Sequence, residues 1–147
     1  MVLVKIVRLK ESAKLPSYAH EGDAGLDIFS AESCLIEPGK RKLISTGISM
    51  ELPSGYVGLI WDKSGLALKK GITVLGGVID SGYRGECRVI LQNLGEETLK
   101  IRVGDKIAQL IIQEVARAEI EEAAVLSDSS RADGGFGSTG GTSSLES

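Results

Sequence analysis

Apolar residues in this chain occur in short runs separated by glycine and proline. The runs richest in Val, Ile and Leu cover residues 2–9, 56–61, 72–79, 87–94, 99–103 and 107–115. Turn-forming stretches such as EPGK (residues 37–40) and LGEE (residues 94–97) lie between them. Runs of this length and composition are typical of strands, and many short strands at this spacing predict an all-β sandwich, barrel or jelly roll.

One segment predicts a helix of one or two turns, SGLALKKG at residues 64–71. Ser64 would be its N-cap, and Gly71 its left-handed C-terminal residue. A second segment, ARAEIEEAA at residues 116–124, contains good helix formers but lies between a strand and a polar stretch. The pattern alone does not decide whether this second segment is helical.

The composition changes at Ser127, after which Ser, Gly, Thr and Asp dominate. Segments of this kind cannot bury enough apolar surface to offset the entropy of ordering, so they predict a flexible tail. The predicted organisation is therefore one β-rich core over residues 1–126 and a flexible Gly/Ser-rich C-terminal arm over residues 127–147. A length of 147 residues fits a single domain.

The formal net charge of −3 argues against a general nucleic-acid-binding surface, which normally has a basic excess. A bound polyanion would need a local site formed by a few cations, backbone N–H groups or a metal. The two cysteines, Cys34 and Cys87, are too few for a disulfide framework and predict reduced thiols. Neither a signal-peptide pattern nor a membrane-length apolar run is present, so the sequence predicts a soluble cytoplasmic protein.

Two stretches have the composition of anion sites. Lys63, Ser64 and Gly65 come where a strand is predicted to become a helix, and free N–H groups there favour an anion; a capped surface helix explains the same residues. In the tail, GGFGSTGG at residues 134–141 offers backbone N–H groups and hydroxyls, and Phe136 suits a cover over a flat ligand. A plain Gly/Ser tail is the alternative for that stretch.

The stretch GGVIDSGYRGE, at residues 76–86, combines one carboxylate and one aromatic ring with flanking glycines. Asp80 could act as a general base on a bound water, or it could be a turn residue that bonds its own backbone. Tyr83 could be a platform for a ring or sugar, or it could pack in the core. No pattern of a Ser-His-Asp triad, a zinc site or a phosphate loop accompanies them.

Together and in this order, five motifs resemble those of the trimeric dUTPases (dUTP diphosphatases). The match covers about residues 5–140, nearly the whole chain. The motifs are DAGLDIFSA (residues 23–31), DKSGLA (62–67), GGVIDSGYRGE (76–86), GDKIAQLI (104–111) and RADGGFGSTG (131–140).

The resemblance implies a jelly-roll-like β fold and a homotrimer in which each active site is assembled from all three subunits. It also implies hydrolysis of dUTP to dUMP and pyrophosphate, with Mg²⁺ held by the triphosphate and waters rather than by direct protein ligands. Such an activity keeps uracil out of DNA and supplies dUMP for dTTP synthesis.

The third motif implies the roles nearest the reacting atoms. Asp80 would orient and activate the water that attacks the α-phosphorus. Tyr83 would stack under the deoxyribose and leave no room for a 2′-hydroxyl. Backbone groups of a hairpin would hydrogen-bond uracil as a pairing base does, at Val74, Gly77, Val78, Ile79 and, across from them, Arg88.

The other motifs imply contacts with the triphosphate. Lys63, Ser64 and Gly65 would bind phosphates, Gln109 would lie in the shell of phosphate and magnesium-bound water, and Asp27 would support that water shell. The fifth motif, residues 131–140, would close as a lid. Its substrate-binding residues would be Arg131, Phe136, Gly137, Ser138 and Thr139, with Phe136 over uracil.

Two residues depart from the family pattern. Lys63 stands where the family usually has Arg, which replaces a planar bidentate fork by a point charge. Gly82 stands where a second acid is common, and we interpret it as a turn residue with positive φ.

Two alternatives accompany the dUTPase interpretation. A dCTP deaminase on the same fold would need an extra carboxylate near the pyrimidine, but residues 87–94 offer Gln92 and no acid. Deaminases also usually lack the Gly-Phe-Gly-Ser-Thr lid. A non-enzymatic relative with the same fold would be favoured by loss of Asp80 or Phe136, and only Lys63 points in that direction.

Overall fold

Antiparallel pairing organises the chain in this computed structural model, which describes residues 1–135. The strands among these residues are β1 (Lys5–Arg8), β2 (Leu26–Phe29), β3 (Cys34–Ile36), β4 (Arg41–Glu51), β5 (Tyr56–Trp61), β6 (Ile72–Leu75), β7 (Val78–Asp80), β8 (Glu86–Asn93), β9 (Leu99–Ile101) and β10 (Lys106–Glu114). One short helix in the same range, α1, spans Ser64–Lys70.

Two four-stranded sheets form the body of the fold. The first has the order β1-β4-β8-β6, the second has the order β2-β10-β5-β7, and β3 pairs with β9 in a small third sheet. Neighbouring strands in all three sheets are antiparallel. The predicted all-β class with one short helix is confirmed, and the helix begins within the second motif, at Ser64.

The two large sheets share one apolar core. Along β8, Cys87, Val89 and Leu91 are buried, whereas Arg88 between them is exposed. Along β5, Gly58 and Ile60 are buried, and Ile60 joins this core from the second sheet. Because side chains alternate along a strand, each sheet keeps a second face for other contacts.

Most predicted apolar runs overlap observed strands, namely β1, β5, β8, β9 and β10. The run over residues 72–79 is not one strand, since β6 belongs to the first sheet and β7 to the second. These two strands therefore do not form the expected hairpin ladder; β6 pairs with β8, and β7 pairs with β5. Strands β2 and β4 escaped prediction because polar residues interrupt their apolar pattern, and β3 escaped because it has only three residues.

The helix α1 ends as predicted but begins differently. Its N-cap is Lys63 in an extended conformation, without a side-chain cap, so the assignment of Ser64 as the N-cap is wrong. Gly71 has φ of 66° and ends the helix in the left-handed conformation. The Leu94 N–H donates to the Gly71 carbonyl, which ties the helix end to the turn between β8 and β9.

The first compact unit spans Met1–Arg117, and a second unit begins at Ala118. Residues 115–123 are neither helix nor strand, which answers the open question about the second helical candidate. The predicted division at residues 126 and 127 stays a prediction. Among the described residues, no helix has the length and apolar composition that crossing a bilayer requires.

Replacement of Gly71 by Ala should destabilise the fold more than replacement of Gly39. Both residues have positive φ, so an alanine costs about 1–2 kcal/mol at either position. Only at Gly71 would a Cβ also meet backbone, 2.6 Å from the Gly95 nitrogen, whereas nothing lies within 4 Å at Gly39. Urea unfolding at fixed protein concentration measures both variants, and equal losses would contradict this account of the helix end.

Candidate active site

A cavity of about 380 Å³ opens between the diverging edges of the two large sheets. Residues of β6 and β8 line it from the first sheet, and residues of β5 and β7 from the second. Its lining includes seven of the residues predicted for substrate binding or catalysis: Val74, Gly77, Val78, Ile79, Asp80, Tyr83 and Arg88. The structure thus brings together the residues that were predicted to contact uracil and the sugar and to activate a water.

The segment that joins β6 to β7, and so passes from the first sheet to the second, requires glycine. Gly76 and Gly77 both have positive φ, of 69° and 102°. A Cβ on Gly77 would lie 2.8 Å from the Ile60 carbonyl oxygen, and the Ile60 N–H donates to the Gly77 carbonyl at 2.8 Å. The backbone of this segment therefore lies directly against β5, where a side chain would not fit.

Asp80 and Tyr83 are joined by a tight turn. The Tyr83 N–H donates to the Asp80 carbonyl at 3.0 Å, and both side chains are exposed. The Tyr83 hydroxyl donates to the Glu86 carbonyl at 3.0 Å, and a Cβ on Gly85 would overlap that hydroxyl. Gly82 lies in open space and is not among the positive-φ glycines, so its interpretation as a positive-φ residue is wrong.

Glu86 lines this cavity, although sequence analysis assigned it no role. Its carboxylate accepts hydrogen bonds from the Ser45 hydroxyl, from the Gly47 N–H at 2.9 Å and from Arg88 Nε at 2.8 Å. Burial alone would raise the pKa of Glu86, but these donors outweigh burial and hold that pKa below its ordinary value. Lys10 Nζ in turn donates to the Ser45 hydroxyl at 2.7 Å.

This network holds β8 to β4 where their register is interrupted, between Ser45 and Ser49. The irregularity leaves the Gly47 N–H available for a side chain, and Glu86 supplies the acceptor. The only signal in the sequence was an acid beside the Tyr-Arg-Gly turn, which does not identify its partners about 40 residues earlier.

The cavity wall also contains Cys87, whose burial raises its pKa to about 12. Cys34 is half-buried, and both thiols are free, as predicted. A thiol with so high a pKa is almost entirely protonated near pH 7, so Cys87 is not a nucleophile for this site.

Asp62 fixes the start of β6 beside the cavity. Its carboxylate accepts from the Val74 N–H at 2.6 Å and from the Thr73 hydroxyl at 2.8 Å. The Val74 N–H is therefore already bonded within the chain. Hydrogen bonds to a base from this segment would come from its other main-chain groups.

A second group of predicted residues surrounds Asp27, which is 4% exposed. Lys63 pairs with Oδ1 of Asp27, and Lys106 pairs with Oδ2 at 2.6 Å. Burial alone would raise the pKa of Asp27, but the two lysines outweigh burial and hold it below its ordinary value. We call these three residues the Asp27 cluster.

Gln109 lies beside this cluster, directly opposite Asp27 in the pairing of β10 with β2. Its Nε2 donates to the Asp62 carbonyl at 2.7 Å, and its side chain fills the space over Gly25. The structure thus brings together Asp27, predicted to support the magnesium-water shell, and Lys63 and Gln109, predicted to lie near the phosphates. Their roles stay predictions.

A β-bulge places Lys106 in the cluster. The register of β10 with β2 shifts between Lys106 and Ala108, and both Ile107 and Ala108 are buried. Strict alternation would put Lys106 and Gln109, three residues apart, on opposite faces of β10. The extra residue returns Lys106 to the face of Asp27, and this is why simple periodicity missed it.

The remaining predicted residues are distributed as follows. Ser64 and Gly65 are exposed in the first turn of α1, which contains no acidic residue. Within the described part of the chain, the lining of the cavity does not include Lys63, Ser64, Gly65, Gln109 or Asp27. Arg131 belongs to the second unit, where its Nε donates to the Gly134 carbonyl at 2.7 Å. Phe136, Gly137, Ser138 and Thr139 lie outside the described residues.

Within residues 1–135, no three His, Cys, Asp or Glu side chains cluster in a way that could hold a metal ion. The one buried acid among the predicted residues, Asp27, already has a lysine on each oxygen.

Replacement of Glu86 by Gln should lower the unfolding temperature at neutral pH, because the charge-assisted bond to Arg88 is lost. Such a bond contributes about 1.5–3 kcal/mol. The folded-state pKa of Glu86 is lowered, so this stabilisation is full above the unfolded-state pKa of about 4.3 and is lost as pH falls through the lower folded-state pKa. The gap between wild type and variant should therefore close below about pH 4.

Thermal unfolding between pH 3 and pH 8, at fixed protein concentration, measures this gap. Glu37→Gln, at an exposed turn, is the matched control and should show little difference at any pH. An undiminished gap for Glu86→Gln at pH 3 would mean that charge on Glu86 is not the source of the stabilisation.

Comparisons with known proteins show which family this chain resembles in sequence and in fold. A sequence model of the dUTPase family matches residues 11–140. The deoxyuridine 5′-triphosphate nucleotidohydrolase of Clostridium tetani is 55% identical over 139 residues, which cover 93% of this chain and 96% of the relative.

Two solved structures are also similar. A mutant dUTPase of Staphylococcus bacteriophage 80alpha, solved with dUpNHpp, matches with a TM-score of 0.89 and 30% identity, over 94% of this chain and 98% of that one. A mutant dUTPase of phage phi11 of S. aureus, described as revealing the coordination of a structural Mg(II) ion, has a TM-score of 0.80 and 29% identity, over 86% and 99%. The chain belongs to the dUTPase family.

Proposed function

We propose that this protein hydrolyses dUTP to dUMP and pyrophosphate by attack of a water, activated by Asp80, on the α-phosphorus. The observation that carries the proposal is the cavity of about 380 Å³, where Asp80, Tyr83 and a glycine-rich main chain meet. Membership of the dUTPase family supports the choice of substrate.

The main chain beside Gly77 suits recognition of a pyrimidine edge. Its backbone is approachable because Gly76 and Gly77 carry no side chains, and neighbouring Val78 and Ile79 line the same cavity. A site that satisfies a base by fixed N–H and C=O groups rejects bases with the wrong donor pattern, since buried polar groups would be left unpaired. Arg88 borders the opposite wall.

The triphosphate would lie toward Lys63, Ser64, Gly65 and Gln109. Lys63 offers a flexible ammonium, and the first turn of α1 has no acid to repel an anion. When bound with the triphosphate, Mg²⁺ would neutralise part of its charge. The donor set suits a magnesium ion that arrives with the nucleotide, because Asp27, whose proposed role is to support the water shell, is already paired with two lysines. Catalysis would then rest on positioning and charge neutralisation.

A homotrimer with shared active sites fits two features of the first unit. The phosphate-binding residues are absent from the described lining of the cavity, so another subunit could supply them. Trp61 and Val78 are 56% and 68% exposed, and Val78 pairs with Leu59 on the outer face of the second sheet. Exposed apolar patches of this kind mark contact surfaces.

The lid of residues 131–140 and the cytoplasmic location remain predictions.

Replacement of Asp80 by Asn should abolish hydrolysis and spare binding. Loss of a general base typically lowers the rate by about 10²–10⁴-fold, while the shape of the cavity is kept. Products from dUTP, dCTP, dTTP and UTP with Mg²⁺ would be analysed for wild type, for Asp80→Asn and for the exposed control Asp128→Asn. Wild type and control should form dUMP and pyrophosphate from dUTP alone. Binding of dUTP without turnover by wild type would indicate a sensor, and consumption of dCTP a deaminase.

Replacement of Tyr83 by Ala should relax discrimination between dUTP and UTP by about 10–100-fold, because the ring that crowds the 2′ position is lost. Tyr83→Phe keeps the ring and removes only the bond to the Glu86 carbonyl, so it should stay selective. The ratio of kcat/KM for the two nucleotides measures the effect. If Tyr83→Ala keeps wild-type selectivity, the ring serves packing alone.

A further inference from the structure

The Asp27 cluster contains two positive charges and one negative charge, so its net charge is positive. One buried carboxylate faces two ammonium groups, and each lysine uses a different oxygen. The lysine side chains are partly exposed, 29% for Lys63 and 49% for Lys106, whereas that of Asp27 is 6% exposed. The two cations can therefore reach solvent or an anion, and the carboxylate cannot.

Binding of a triphosphate by Lys63 creates an electrostatic problem. If the Lys63 ammonium turns from Asp27 to a phosphate, it leaves a buried carboxylate behind. A buried charge without a partner is strongly unfavourable, and this cost would be subtracted from the affinity for phosphate. A second cation that stays on Asp27 would offset this cost.

Lys106 occupies the position that such a cation needs. Its ammonium contacts Oδ2, so departure of Lys63 from Oδ1 does not disturb it. The bulge at Ile107 and Ala108 is the feature that turns Lys106 to this face.

We propose that Lys106 is a positioning residue that holds the charge of Asp27 and thereby leaves the Lys63 ammonium available to the triphosphate. This inference rests on the proposed function, because it assumes that Lys63 binds phosphate. It assigns Lys106 an indirect role, exerted through Asp27 and Lys63, without contact with the nucleotide.

The test is a double-mutant cycle with nucleotide binding as its readout. Dissociation constants for dUpNHpp and dUMP, both with Mg²⁺, are measured for wild type, Lys106→Met, Asp27→Asn and the double variant. Lys106→Met should weaken dUpNHpp on the order of tenfold, because Lys63 becomes the sole partner of Asp27. Binding of dUMP should change little, and Lys106→Arg should restore dUpNHpp binding.

The Asp27→Asn background separates the indirect role from direct contact. Without the carboxylate there is no charge to hold, so Lys106→Met should cost almost nothing there. Lys100→Met, at an exposed lysine of β9, controls for general loss of positive charge and should bind like wild type. Thermal unfolding verifies that each variant folds, and Lys106→Gln replaces the Met variant in the cycle if that one does not.

Three outcomes would overturn the inference: undiminished dUpNHpp binding by Lys106→Met, an equal loss for dUMP, or the same loss in the Asp27→Asn background. The last would mean that Lys106 contacts the triphosphate itself. If the wild-type protein fails to bind dUpNHpp, that result contradicts the proposed function. The inference is then contradicted as well, because it rests on that function.

Discussion

The chain passes from one sheet to the other within two residues, and the cavity depends on that crossing. Gly76 and Gly77 adopt conformations that L-residues avoid, and Gly77 lies against the Ile60 carbonyl where a side chain would not fit. As a result β6 pairs with β8 in the first sheet and β7 pairs with β5 in the second. The cavity lies between these two edges of the sheets. A continuous strand over residues 72–79 would have closed this gap.

Two largely buried carboxylates, Asp27 and Glu86, organise the two parts of the site. Glu86 belongs to the cavity, and Asp27 belongs to the Asp27 cluster. Glu86 connects β8 to β4, and Asp27 connects β2 to Lys63 and to the first residue of β10. Removing charged groups from water is costly, and the cost is offset only when their oxygens are well satisfied. Asp27 has two donors and Glu86 has three, so loss of either acid would leave charged groups of the site without their partners.

Local signals predicted the parts of the structure that depend on neighbouring residues. The left-handed Gly71, the strands at the apolar runs and the turn that joins Asp80 to Tyr83 all follow from short stretches of sequence. The partners of Glu86 and the second lysine on Asp27 could not be predicted, because they depend on long-range pairing and on an irregular register. The separation of β6 from β7 was missed for the same reason, since sequence does not show which sheet a strand joins.

The bulge in β10 lets the chain bury two consecutive residues, Ile107 and Ala108, between two polar side chains that lie on one face. Other apolar residues in place of Ile107 or Ala108 would keep both polar side chains on one face. Deletion of either would leave a single residue between the two polar side chains, and regular alternation would then keep both on one face without a bulge. The bulge therefore adds a second side chain to the core at this point while both polar residues stay beside Asp27, and close packing limits the volume of the two buried side chains.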